Sequence, residues 1–271
     1  MSRSELAFAA AFALAAAAGA FHAPAAASSP DAAAAARGLA IAQEADRRDQ
    51  GFKDSVVTLR MTLRNRQGDS SVRELRTRAL EVSGDGDKSL ITFDTPADVK
   101  GTALLSFTHK SGPDDQWLFL PALKRVKRIA SDNKAGPFMG SEFAYEDLSS
   151  QEVEKYDYQH LRDETVDGQP MFVIERYPVD PKSGYTRQLV WLDQAEYRVH
   201  RVEYYDRKAS LLKTLTAKRF QQYLGKHWRA AELTMVNHQT GKSTVLEFRD
   251  YAFATGLKDR DFDQTALQDT K

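Results

Sequence analysis

The sequence predicts a mainly β protein built on one antiparallel barrel or strongly curved sheet, and three observations predict it. From Phe52 onward apolar residues alternate with polar ones, as in Val57, Leu59, Met61 and Leu63 against Thr58, Arg60, Thr62 and Arg64. That is the period of a half-buried strand. About a dozen such runs follow at near-regular spacing, separated by short polar turns. Several are long, Leu211 to Tyr223 above all, and long antiparallel strands belong to sheets that curl, because a large flat sheet twists apart. A curled sheet has a concave face that something must fill.

The chain opens outside this pattern. Arg3 supplies a weak positive start, Leu6 to Ala20 is apolar and alanine-rich, and Ala25-Ala26-Ala27 offers a small-residue cleavage site. This is the order of a secretory signal peptide, over residues 1–27, with Ser28 the new N-terminus and 28–271 a single domain. The alternative is a membrane anchor, which needs roughly 20 apolar residues, more than this stretch holds. No cysteine follows it, so no lipid anchor is expected and the mature protein is expected to be soluble outside the cytoplasm. Between Ser28 and Gln50, Asp31 is placed to cap a helix, and Leu39, Ile41, Ala42 and Ala45 give that helix a weakly apolar side. The polyalanine after Pro30 either joins the helix or leads into one that starts near Gly38. Either way it ends near Gly51.

The strands follow in order. Arg66-Gln67-Gly68-Asp69 turns the first into a charged second strand around Val72 to Ala79, and Ser83 to Asp87 turns that into Ser89 to Thr95. Thr102 to Thr108 and Gln116 to Leu120 come next, and Glu142 to Leu148 reads as a short helical turn. Glu152 to Asp163 and Met171 to Tyr177 flank Val166-Asp167-Gly168-Gln169, whose Asp-Gly pair is a strong hairpin signal. Gly184 to Asp193, Arg198 to Asp206, Leu211 to Tyr223, His227 to Asn237 and Ser243 to Tyr251 complete the series.

Composition narrows the chemistry. Lys plus Arg and Asp plus Glu are each 38, a formal net charge of zero, so no long-range field draws the chain to nucleic acid or an anionic membrane. There is no cysteine, which removes disulfides, thiolate chemistry and cysteine metal sites. His109, His160, His200, His227 and His238 show no ligand spacing, so no metal and no cofactor is expected. No G-x-S-x-G elbow occurs. Gly241-Lys242-Ser243 lacks the earlier glycine of a phosphate loop and reads as a turn. Asp85-Gly86-Asp87 and Asp132-Asn133 lack the rest of a calcium loop and read as turns too. Lys124-Arg125-Val126-Lys127-Arg128 reads either as an exposed strand whose charges deter edge pairing or as a contact for anionic headgroups or an acidic partner.

Large apolar side chains concentrate between Asp98 and Leu148. Trp117, Leu118, Phe119, Leu120, Phe138, Met139, Phe143 and Tyr145 are the candidate ligand contacts, about half of them expected in ordinary core. Gly136-Pro137-Phe138-Met139-Gly140 is a loop, and apolar loop residues serve as a plug or as a ligand contact. Met and Phe suit an adaptable apolar pocket.

The sequence here resembles the bacterial outer-membrane lipoprotein-sorting proteins of the LolA/LolB-like type. The resemblance rests on Gly101-Thr102, the run Trp117-Leu118-Phe119-Leu120-Pro121-Ala122-Leu123-Lys124-Arg125-Val126, Phe138-Met139-Gly140-Ser141-Glu142-Phe143 and Tyr145-Glu146-Asp147-Leu148. Trp191-Leu192-Asp193, Tyr205-Asp206, Leu211-Leu212-Lys213 and Thr240-Gly241 with Thr244 extend it over nearly the whole mature chain. It implies a half-open (incomplete) β-barrel with a few helices over its open side, an apolar interior for acyl chains, and no catalytic residues. The implied protein is a periplasmic carrier of a lipid or lipoprotein acyl chain, monomeric, with an inner-membrane export transporter as a further partner and no nucleic acid. On this reading Trp117 to Pro121 and Phe138 to Tyr145 help form the cavity mouth, and the helix around Leu39 to Ala45 is the lid. A non-carrying accessory module of an export transporter is the alternative, and it predicts bulky side chains filling the concave face. A hydrolase of envelope lipids would need a nucleophile–base pair or metal site that no spacing supplies.

Overall fold

A computed structural model describes residues 32–265 and 267. The expected signal segment and Asp31 lie outside the described residues. Thirteen antiparallel strands form one sheet: β1 (Asp54–Arg64), β2 (Ser70–Leu80), β3 (Lys88–Thr95), β4 (Ala103–Phe107), β5 (Asp115–Leu120), β6 (Arg125–Arg128), β7 (Tyr156–Val166), β8 (Gln169–Pro178), β9 (Tyr185–Asp193), β10 (Val199–Asp206), β11 (Leu211–Tyr223), β12 (His227–Asn237) and β13 (Ser243–Phe253). Their order across the sheet is β6-β5-β4-β3-β2-β1-β13-β12-β11-β10-β9-β8-β7. The chain therefore enters in the middle and meanders to one edge. Residues 129–155 then carry it across to the other edge, and it meanders back until β13 pairs with β1. β6 and β7 do not pair with each other, so the barrel stays open.

Local chemistry sets the corners. At the β7–β8 hairpin Asp167 and Gly168 both take positive φ (50° and 81°), the backbone that a two-residue turn matching strand twist requires. β13 carries one extra residue opposite β1, between the partners of Val56 and Thr58, with Asp250 at φ 55°. A bulge of this kind adds curl. The basic cluster forms β6, an exposed edge strand of four residues, where like charges discourage pairing with another sheet.

One α-helix is present among the described residues, α1 (Ala32–Asp49), where the family resemblance implied a few helices over the open side. The crossover 129–155 instead folds into single 3₁₀ turns, including Phe138–Gly140, Tyr145–Leu148 and Val153–Lys155. Its Gly and Pro interrupt any helical run, and the last of these turns delays β7 to Tyr156. α1 spans the polyalanine segment, with Arg47 and Arg48 in its last turn complementing the exposed carbonyls there.

Two faces of the sheet bury different things. The inner face holds the main core, including Leu59, Leu75, Phe93, Leu104, Val190, Tyr204 and Met235. The outer face of β3–β5 is capped by the C-terminal segment, whose Phe262 and Leu267 are fully buried against Leu90, Ala103 and Leu105. Nothing in the periodicity of the sequence marked that segment as a cover.

A partly buried carboxyl adjoins the β2–β3 turn. Burial raises the pKa of Asp87 to about 7, although the Val82 N–H donating to its Oδ1 at 3.1 Å opposes the shift. The folded pKa lies above the ordinary 3.8, so the native state holds the extra proton and stability falls as pH rises from about 4 to about 7. We expect Asp87→Asn, which keeps the acceptor, to raise stability at pH 8 by about 1–2 kcal/mol after solvent screening, and to change little at pH 4. Urea melts at the two pH values decide it, and equal gains at both would remove the titration argument.

Candidate functional site

The concave face is divided into a filled half and an open half. The filled half contains the crossover, a plug whose Phe138 is fully buried and Phe143 nearly so. Phe138 packs on Phe93 of β3 at 5.6 Å between centroids and on Tyr145 at 5.7 Å. Phe138 N–H donates to Phe143 O at 2.7 Å, closing the loop on itself, with Met139 at φ 48° and Gly140 at 77°.

Polar ties fix the plug to strands on both sides. Arg73 Nη1 donates to Met139 O at 2.6 Å, and Gln116 Nε2 to Tyr145 O at 3.0 Å. From the other side Lys213 Nζ donates to Asp147 Oδ2 at 2.6 Å and to Glu142 O at 2.9 Å. Tyr185 Oη donates to Asp147 Oδ1 at 2.8 Å, and Asn237 Nδ2 to Glu142 Oε2 at 2.7 Å. Glu146 accepts from Ser183 Oγ at 2.8 Å and Gly184 N–H at 2.9 Å, yet burial still holds its carboxyl above the usual range. Burial, with Asp147 adjacent, pushes the Tyr185 phenol well above its usual value.

The open half is a cavity of about 770 Å³ between α1 and strands β7–β13. Tyr158, Ile174, Val190, Leu192, Leu215 and Leu233 make its apolar floor, each from the inward alternation of its strand. The roof presents Ala42 and Ala45, and side chains this small leave room beneath the helix. The size falls within the roughly 300–1,000 Å³ typical of small-molecule sites. Its rim is charged: Arg48, Arg198 and Arg229 face Asp46, Asp49 and Glu196.

α1 lies on the sheet at a close approach. A Cβ on Gly38 would come within 2.7 Å of the Gln159 carbonyl carbon and 2.8 Å of the His160 nitrogen. Beyond that seat and the buried Ile41, its links are peripheral. They include Arg37–Asp163 at 2.9 Å, Arg48–Glu196 at 3.4 Å, Arg229–Asp49, Arg48 Nη1 to Ala195 O at 2.8 Å, and Arg48 over the Tyr197 ring at 4.6 Å. Exposed ion pairs are worth about 0–1 kcal/mol each, so α1 is held mainly by its apolar side.

None of the eight residues singled out in the sequence lines this cavity. A one-residue alternation divides the Trp117–Leu120 run between two faces. Leu118 and Leu120 point into the main core, while Trp117 and Phe119 lie on the outer face beneath the C-terminal segment, Trp117 against Phe107 at 5.1 Å. Phe138, Met139, Phe143 and Tyr145 belong to the plug side of the core. The floor residues carry no distinguishing signal, because an inward residue in a strand looks the same whether it meets another side chain or a void.

A sheet open along one seam, half plugged and roofed over its other half by a single helix, defines a half-open barrel with an internal apolar cavity. A family model described as "Uncharacterized protein" matches residues 85–269. No curated protein matches the chain. Among solved structures, a domain named for outer membrane lipoprotein sorting, from Vibrio parahaemolyticus, is 59% identical, covering 86% of this chain and 99% of that one at TM-score 0.85. A DUF1329 family protein from Desulfovibrio piger is 31% identical, covering 87% and 99% at TM-score 0.82. A LolA superfamily protein from Nitrosomonas europaea shares the fold, at 22% identity, covering 84% and 98% with TM-score 0.69. The chain belongs to the outer membrane lipoprotein-sorting protein family.

Proposed function

We propose that this protein is a non-enzymatic periplasmic carrier that holds a lipid or lipoprotein acyl chain in the cavity beneath α1 and delivers it towards the outer membrane. One observation carries the reading: an apolar-floored space of about 770 Å³ on the inner face of the sheet, roofed by α1. Family membership supports it. The segments around Trp117 and Phe138 then serve as wall and plug, away from the cargo.

The energetics suit transfer. Burying ten methylenes gains about 8 kcal/mol at 0.8 kcal/mol each, against an association cost of about 4–15 kcal/mol. Binding is thus modest, and a partner with greater affinity takes the chain. The helix roof, seated by Ile41 and the close approach at Gly38 with exposed ion pairs at its edges, is the element that moves to admit the chain.

The test is native mass spectrometry with lipid extraction on protein purified from its own envelope. We expect a co-purifying acylated species, lost in Ala45→Trp, which projects a large ring from the roof into the cavity while leaving the helix surface intact. An empty wild-type protein that also binds no fluorescent fatty acid would favour a non-carrying accessory of an export transporter, for which the plug already supplies half of a solid interior.

A further inference from the structure

The cations on the cavity wall are not equivalent. Arg48 meets Glu44 at 2.7 Å, Arg198 meets Asp193 at 2.8 Å, Arg201 meets Glu203 and Arg229 meets Asp49. Lys226 is exposed at the rim. Arg176 differs from all of these. It stands on β8 two residues after Ile174, on the same inward face, and lines the cavity.

Its partners are neutral. Nε donates to Gln188 Oε1 at 2.8 Å, and Nη2 donates to Gln151 Oε1 at 3.1 Å. The guanidinium lies over the Tyr156 ring, 4.3 Å from its centroid. Gln188 is 2% exposed, and Gln151 also accepts from Tyr156 Oη at 2.6 Å. Among the described residues no carboxylate lies within ion-pair distance of Arg176. The nearby Glu146 and Asp147 are engaged elsewhere, with Ser183 and Gly184 and with Lys213 and Tyr185.

A half-withdrawn guanidinium without a counter-charge is a cost to the fold. Here two amides and a ring also hold it in one orientation. They occupy Nε and one Nη2 hydrogen, and leave the Nη1 hydrogens and the second Nη2 hydrogen without a protein acceptor, the donors of an end-on grip on an oxyanion. Beside it the floor residues Tyr158, Ile174 and Val190 offer apolar surface.

We infer that the cavity selects amphiphiles with an anionic head, a carboxylate or phosphate oxyanion bound by Arg176 while the acyl chain covers the apolar floor. The inference rests on the carrier reading and names its ligand class. The chain supplies the bulk of the binding, and the guanidinium supplies the discrimination.

The experiment is displacement of the neutral dye Nile red from mature protein by palmitate, hexadecyl phosphate and methyl palmitate, in wild type, Arg176→Gln and Arg176→Lys. We expect the anionic compounds to displace dye at concentrations about 10- to 100-fold below the ester in wild type, the worth of a charged hydrogen bond. Arg176→Gln should bring the ratio near one with the ester unchanged. Arg176→Lys, a point charge without the fork, should retain part of it. Whichever of palmitate and hexadecyl phosphate is preferred tells a fatty acid from a phosphate-headed lipid. Equal displacement by all three in wild type, or a ratio surviving in Arg176→Gln, overturns the anion preference alone. Failure of all three to bind overturns the carrier reading with it.

Discussion

Asp147→Ala is expected to destabilise the protein by about 3–5 kcal/mol, the cost of stranding one partner of a buried ion pair. Asp147 and Lys213 have side chains only 3% and 5% exposed. Lys213 lies 5.3 Å from the centroids of both the Tyr185 and Tyr204 rings, and Asp147 also accepts from Tyr185 Oη and the Ala144 N–H. Removing the carboxylate leaves an ammonium with one carbonyl partner and a buried phenol with none of its present acceptor. Lys213→Met alone should cost a similar amount, since Asp147 is then the uncompensated charge. The double variant Lys213→Met with Asp147→Leu should recover much of the loss, because two apolar groups in place of a buried pair often cost nothing. Urea denaturation gives the cycle. Added salt should leave the wild-type contribution in place, buried charges being poorly screened. A single-variant loss below about 1 kcal/mol would show that the plug is held by its aromatic packing without this tie.

The second large effect has an inverted sign. Replacing glycine within a helix by alanine ordinarily stabilises it by about 1 kcal/mol. At Gly38 the new methyl would lie 2.7–2.9 Å from backbone atoms of Gln159 and His160, in a β-strand paired along its length with β8. Neither side gives way cheaply. Gly38→Ala should therefore destabilise by about 1–3 kcal/mol, the range for overpacking, and Gly38→Val by more. The displaced helix should show faster amide exchange over α1 than over β8–β12, and weaker retention of cargo. A neutral or stabilising Gly38→Ala would mean that the roof already rides higher on the sheet than this contact requires.

Much of the architecture was legible in the amino-acid pattern. Period-two alternation located the strands from Val57 to Tyr251 other than β6, Asp167-Gly168 marked its hairpin, and the crowding of charge at Lys124 to Arg128 fitted an exposed edge. These are local properties: they depend on neighbours in the chain and on which backbone angles each residue tolerates.

The site was not legible in the same way. Trp117 and Phe119 drew attention as large apolar groups, but a side chain's face is decided by strand register, and the register put them on the outside. Phe138 and Phe143 are apolar loop residues that became a plug, its crossover held by Arg73, Gln116, Lys213 and Asn237, partners up to 95 residues away in the case of Asn237 and Glu142. Ile174, Leu215 and Leu233 line a cavity only because α1 presents alanines above them. Arg176 stands out only because the side chains packed around it are amides and a ring rather than a carboxylate. The sequence by itself determined the strands, the turns and the amphipathic faces, since those follow from residues a few positions apart. Tertiary structure alone decided which half of the concave face is filled and which cation lacks a counter-charge, because voids and unpaired charges are properties of what packs opposite.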